Sequence, residues 1–192
     1  MDEQLRMNIL TELNKVDRPG MNDLVEFLES SDYFTAPAST KYHSSHECGL
    51  AEHSWHVLKG LRRKVAGFKL DVPEDSQTIC GLLHDICKVK TYKKEQKWRK
   101  DDKGKWESYE VYVTDDQFPA GHGEKSVIIL QKYIKLTDQE IMMIRWHMAG
   151  FEPSENYKYY NGAMDKYPEI VALIAADIES TYLLEKKGSD EG

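Results

Sequence analysis

The sequence predicts an all-α domain with one short β-hairpin inserted in it. Apolar residues recur at helical spacing in seven segments along the chain. One stretch, 90–113, abandons that spacing for a strand-like pattern on either side of Asp101-Asp-Lys-Gly104. The chain has 192 residues, 40% of them hydrophobic, and a chain of that length can bury roughly 70% of its unfolded surface without disulfide staples. At ~100–200 residues per domain, one domain is expected over 1–192, with helices and a loop in 1–48 and a helical core in 49–186.

In 2–16, Leu5, Ile9, Leu10, Leu13 and Val16 fit one helical face, and Asp17-Arg-Pro-Gly20 ends the run. Residues 22–30 repeat the pattern with Leu24, Val25, Phe27 and Leu28, with Asn22 as the expected N-cap. Residues 31–48, with Pro37 and several Ser and Thr, read as a loop long enough to be functional. Gly49 opens a helix over about 50–66 carrying Leu50, His53, Val57, Leu61 and Val65, and Pro73 starts another over about 74–87 with Ile79, Leu82, Leu83 and Ile86. The hairpin follows, with strands at 92–98 and 106–113, then a loop with Pro119 and Gly121. Helices are expected at about 123–134, 137–148 and 167–186, with a capping box in Thr137-Asp-Gln-Glu140, a loop at 149–166 and a frayed polar tail from 186.

Charge narrows the function classes. There are 26 Lys and Arg against 33 Asp and Glu, a net charge of -7, which argues against a protein held to nucleic acid by global charge. A small anion needs only a local positive site. Between Lys88 and Lys105 nine basic residues accompany three acidic ones, so that stretch is +6 and the remainder -13. Tyr92, Trp98, Trp106, Tyr109 and Tyr112 are interleaved with it, a combination suited to a phosphate and a stacked base. The alternative is a solvated hairpin whose aromatics pack across the strands. No apolar run approaches the ~20 residues that span a bilayer. The polar start and the three cysteines, Cys48, Cys80 and Cys87, lead to the expectation of a reduced cytoplasmic protein.

All seven histidines lie between His43 and His147. His84-Asp85 closes an apolar helix directly after Gly81-Leu-Leu83, and two ionisable side chains sit badly in a core unless something satisfies them. A divalent metal would, because neutral imidazole and carboxylate are good ligands for Zn, Mn, Fe and Ni; a helix-end pair near solvent is the alternative. His53 lies on a helix face after Gly49-Leu-Ala-Glu52. Asp177 interrupts Ile170-Val-Ala-Leu-Ile-Ala-Ala176, where a carboxylate must be paired, capped or metal-bound. His, His-Asp and Asp at core-facing positions make four ligands for one ion.

In order and context, Gly49-Leu-Ala-Glu-His53, Leu82-Leu-His-Asp-Ile-Cys-Lys88 and Ala175-Ala-Asp177 resemble the H…HD…D pattern of the HD-domain metal-dependent phosphohydrolases, over about 49–182. The resemblance implies an HD-domain helical bundle of five or more core helices around a metal held by His53, His84, Asp85 and Asp177. It extends to the members with two further histidines, where His122 and His147 would hold a second ion and Asp85 would bridge; hydrogen-bonded surface or helix-end histidines are the alternative. Single-metal nucleotidase-like members often carry an acid just after the pair, and Ile86-Cys-Lys88 has none, which favours the two-metal site. Cys87 stands where relatives often have Gly and reads as a small packing residue.

The implied cofactors are two divalent ions (Fe, Mn, Zn, Ni or Mg). The implied catalytic residues are Asp85, Lys88 and His43. Tyr42, His43, Lys88 and Arg145 are expected on the substrate side, with Lys88 either clamping phosphate or solvated. The implied reaction is hydrolysis of a phosphate ester of a nucleotide or similar small molecule, by attack of a metal-bound hydroxide on phosphorus. The alternatives are a 3′–5′ exonuclease or phosphodiesterase acting on short single-stranded nucleic acid, and a non-catalytic ligand sensor that keeps the fold. A structural zinc site from His43, His46, His53, His56 and Cys48 is disfavoured, because His53 is already claimed and the spacing matches no common zinc module.

Overall fold

The computed structural model describes residues 2–40 and 44–185, and among these the chain is mainly helical with one two-stranded antiparallel sheet. Helices α1 (Glu3–Asn14) and α2 (Met21–Ser30) lead into α3 (Gly49–Phe68) and α4 (Glu74–Leu83). Strands β1 (Tyr92–Lys100) and β2 (Trp106–Thr114) follow, then α5 (His122–Leu130), α6 (Asp138–Trp146), α7 (Tyr157–Lys166) and α8 (Ile170–Glu179). None of the described helices is long and apolar enough to cross a membrane.

The centre of the bundle is α3, with α4 and α8 both lying along it. Close approach depends on two glycines. A Cβ on Gly60 would stand 3.1 Å from the Ala176 Cβ, and a Cβ on Gly81 only 2.7 Å from the Leu58 Cα. Leu58, Leu61, Ile79, Leu82 and Leu173 are fully buried around these crossings. Helix α6 packs on α4, α5 and α8, and α5 also packs on the 3₁₀ turn Ile86–Lys88 that follows α4. The end of α4, the start of α5 and the end of α6 therefore meet beside α3 and α8.

Several boundaries differ from expectation for local physical reasons. The N-cap of α2 is Gly20, not Asn22; its φ of 89° is left-handed, and a Cβ there would collide with the Tyr133 carbonyl oxygen at 1.9 Å. The helix expected over 74–87 stops at Leu83. Asp85 takes φ -102° and ψ 17°, and a 3₁₀ turn follows. A continuing α-helix would step consecutive side chains about 100° apart; the break lets His84 and Asp85 face the same point. The loop expected over 149–166 contains two 3₁₀ turns and α7, which buries Ala163 and sets Tyr160 and Met164 half-buried against the core. The helix expected over 167–186 begins at Ile170 and widens into a π-helical turn, Ser180–Leu184. The expected capping box is present: the Thr137 side chain accepts from the Glu140 amide at 3.2 Å, and the Glu140 carboxylate accepts from the Thr137 amide at 2.8 Å.

The loop after α2 is partly core. Tyr33 is fully buried and donates its hydroxyl to the Leu82 carbonyl at 2.8 Å, strapping the C-terminal end of α4. The hairpin pairs Tyr92 with Thr114 through to Lys100 with Trp106. Gly104 (φ 77°) and two amides bonded to Asp101 Oδ1 make its turn. Both strands are largely exposed. The hairpin's own cations lie over its rings, with Arg99 5.2 Å from Tyr109 and Lys100 5.4 Å from Trp106.

Candidate metal centre

The residues singled out in the sequence come from five places in the fold. His53 projects from α3, His84 caps the C-terminal end of α4, and Asp85 starts the 3₁₀ turn. His122 is the first residue of α5, His147 caps α6, and Asp177 lies on α8. The structure brings all six together. Imidazole centroids stand 5.4 Å apart for His53 and His84, 5.0 Å for His84 and His147, and 5.3 Å for His122 and His147. His53, His84, Asp85 and His147 are buried; His122 and Asp177 are part-exposed, so the cluster opens to solvent on their side.

The hydrogen-bonding pattern orients the rings inward. His84 Nδ1 meets the Gly81 carbonyl at 3.1 Å, and His147 Nδ1 the Ile144 carbonyl at 2.6 Å. A carbonyl only accepts, so Nδ1 carries the proton of the neutral ring and Nε2 keeps its lone pair. Nε2 of both rings is buried and makes no hydrogen bond among the described residues. Burying such an acceptor unsatisfied costs ~1–3 kcal/mol, a cost that a bound metal ion would remove. His53 Nδ1 meets Glu185 Oε1 at 2.9 Å, while its Nε2 stands 3.2 Å from Asp177 Oδ1 and 3.6 Å from Asp85 Oδ2.

Asp85 divides its two oxygens between the two sides of the cluster. Oδ2 lies 3.6 Å from Nε2 of His53 and of His84, and Oδ1 lies 2.5 Å from His122 Nε2 and 3.4 Å from His147 Nε2. Lys88 Nζ sits 2.5 Å from Oδ2, inside the cluster rather than in solvent.

The electrostatics show what such a site demands. Burial depresses the His84 imidazole to about 3, so it is neutral, as a ligand must be. Burial acts the same way on His53, but the Asp177 and Glu185 carboxylates outweigh it and raise that ring to about 9. Burial would raise Asp85, yet Lys88, His84 and His122 hold it well below its ordinary value. Asp177 and Glu185 are likewise held low, against burial, by His53. A proton on His53 and the ammonium of Lys88 thus offset anionic charge that a divalent cation would also offset.

Three sets of side chains have ligand atoms close enough to hold an ion: His53, His84 and Asp85; His84, His147 and Asp177; and Asp85, Cys87 and His122. No such set among the described residues includes His46, His56 or Cys48, so the zinc alternative gains nothing from the structure. His46 is exposed beside Glu52, and His56 lies 3.4 Å from Glu185.

Other expected residues are placed differently. Arg145 bonds Glu152 at 2.6 Å and Glu124 at 2.5 Å and stacks 4.0 Å from the Trp146 ring, tying the start of α5 to the segment after α6. Tyr42 and His43 lie outside the described residues. Sequence reasoning misses two residues. Glu185 reaches His53 only because of the π-helical turn, which no periodicity signals. Cys87 reads as packing in the sequence, although an adjacent His-Asp pair is a signal that marks it. A groove of about 820 Å³ beside Glu12, Arg62 and Asp75 contains none of these residues.

Fold and site together define a mainly helical protein with a buried His/Asp centre compatible with metal binding. No family model matches the chain, and no solved structure matches it. Among curated proteins it is similar to the dihydroneopterin 2′,3′-cyclic phosphate phosphodiesterase of Methanocaldococcus jannaschii, with 32% identity over 121 residues. The match covers 59% of this chain and 44% of that protein, less than half the relative's length.

Proposed function

We propose that this chain is a metal-dependent phosphohydrolase of HD-domain type that opens a phosphodiester, cyclic in the favoured case, in a small molecule. The observation that carries the reading is the pair of buried Nε2 acceptors on His84 and His147, aimed at the same point as Asp85. The similar phosphodiesterase supports the choice of a small phosphate diester. Bound at these residues, divalent ions would supply an activated water nucleophile and neutralise charge on the phosphoryl oxygens.

The chain's own residues do the rest. His53, His84, Asp85 and Asp177 would hold one ion, and His122 and His147 a second, with Asp85 lying between the two groups. Glu185 and the Gly81 and Ile144 carbonyls fix the ring orientations. Lys88, already within the cluster, supplies a cation for a phosphoryl oxygen. The cluster opens beside His122 and Asp177, so substrate enters there. The mostly exposed hairpin and the net charge of -7 do not favour nucleic acid over a small molecule.

The test is a substrate panel with Mn²⁺, Fe²⁺, Zn²⁺ and Mg²⁺: a 2′,3′-cyclic nucleotide, a generic diester, a phosphomonoester and a short oligonucleotide. Metal-dependent opening of the cyclic diester, lost with chelator, is expected. Turnover of the monoester alone, or none with any metal, would overturn the reading. On the two-ion reading, His122→Ala is expected to lower bound metal from two ions per chain toward one; unchanged stoichiometry by elemental analysis would contradict it.

A further inference from the structure

Cys87 occupies the middle of the 3₁₀ turn Ile86–Lys88, two residues after Asp85, and is almost fully buried. A packing residue there would aim into apolar surroundings. Instead its Sγ lies 3.3 Å from His122 Nε2, which is itself 2.5 Å from Asp85 Oδ1. Two donors held at ~2.0 Å (nitrogen) and ~2.3 Å (sulfur) from one ion stand roughly 3.3–3.6 Å apart at near-tetrahedral angles. The Sγ to Nε2 separation is already of that size. Cys48 and Cys80 are buried too, but neither joins a set of convergent ligand atoms among the described residues.

We propose that Cys87 is a ligand, as thiolate, to the ion held by Asp85 Oδ1 and His122, and that it makes this position selective for a thiophilic ion such as Zn²⁺, Fe²⁺ or Co²⁺ over Mg²⁺. The inference rests on the metal-centre reading above. On binding, the Sγ–H bond breaks, an Sγ–metal bond forms, and the proton leaves to solvent; no electron is transferred. A soft sulfur beside imidazole and carboxylate shifts preference away from hard, oxygen-seeking ions. Backbone supports this placement, because the Cys87 amide donates to Ser126 Oγ at 3.3 Å, joining the turn to α5, which also carries His122.

The experiment is Co²⁺ loading of the full chain, read by absorption. A thiolate-to-cobalt charge-transfer band in the near ultraviolet is expected in the natural protein and in Cys48→Ala and Cys80→Ala, and its loss in Cys87→Ser. Zn²⁺ affinity should fall at least ~10-fold in Cys87→Ser, while Mg²⁺ affinity changes less than ~2-fold. Bound Co²⁺ without the band, or a band that survives in Cys87→Ser, overturns the assignment and leaves the metal centre standing. Failure to bind any Co²⁺ overturns the centre and the assignment together. If Cys87→Ser does not fold, the bands of the natural protein and the two control variants decide by elimination, since the chain has only three cysteines.

Discussion

On the proposed function, Asp85→Ala is expected to abolish metal retention and to reduce phosphoesterase activity by roughly 10³-fold or more, the several kcal/mol of charge stabilisation that a bound metal would supply. Asp85 touches both halves of the cluster. Its two oxygens approach four imidazoles and the Lys88 ammonium, at 2.5 to 3.6 Å. Alanine also leaves Lys88 buried without its carboxylate, and breaking such a pair costs about 3–5 kcal/mol. Asp85→Asn reduces the second effect. It keeps the shape and the acceptor oxygen, so circular dichroism should show the native helix content while elemental analysis shows metal loss. Full metal content in Asp85→Asn would refute the site assignment.

Glu140→Gln is expected to destabilise the fold by about 3 kcal/mol without changing metal content. Glu140 is fully buried on α6, and Arg18 donates to both its oxygens at 2.7 and 2.9 Å. Ser76 donates to it at 2.8 Å, and it closes the capping box with Thr137. One carboxylate thus joins the turn before α2, the start of α4 and the start of α6. For a domain of this size the loss corresponds to a fall in Tm of roughly 6–12 °C. Burial would raise its carboxyl, but Arg18, the Thr137 amide and Ser76 hold it below its ordinary value of 4.5. A carboxylate lowered on folding contributes stability that is present above its unfolded value and lost as pH falls through its folded value. The stability gap between the natural protein and Glu140→Gln should therefore narrow below about pH 5. A gap that stays constant on acidification, measured by urea unfolding, would contradict this role.

Much of the site was legible because it breaks local rules. His84, Asp85 and Asp177 are polar breaks in or at the end of apolar helical runs, and the cost of burying them is enough to mark them, whereas His53 was marked by its helix face and by the family resemblance. The capping box was legible for the opposite reason: its two reciprocal bonds join Thr137 and Glu140 within a single turn. Helix α7 was not legible, since its Tyr-, Asn- and Gly-bearing sequence reads as a loop. Arg145 was expected on the substrate side, and tertiary contacts pair its guanidinium with Glu124 and Glu152.

By itself, the sequence determined the helical segments with strong apolar period, the hairpin and the identities of six convergent ionisable residues. The tertiary structure alone decided how they converge. The break at Asp85 turns two adjacent side chains to one point, and Asp85 presents an oxygen to each half of the cluster. The π-helical turn carries Glu185 onto His53, and packing of α5 on the turn after α4 sets Cys87 against His122. Period and propensity act over a few residues, whereas these contacts join residues 35 to 132 positions apart. Only the packing of α4 and α8 on α3, and of α5 on the turn after α4, sets those distances.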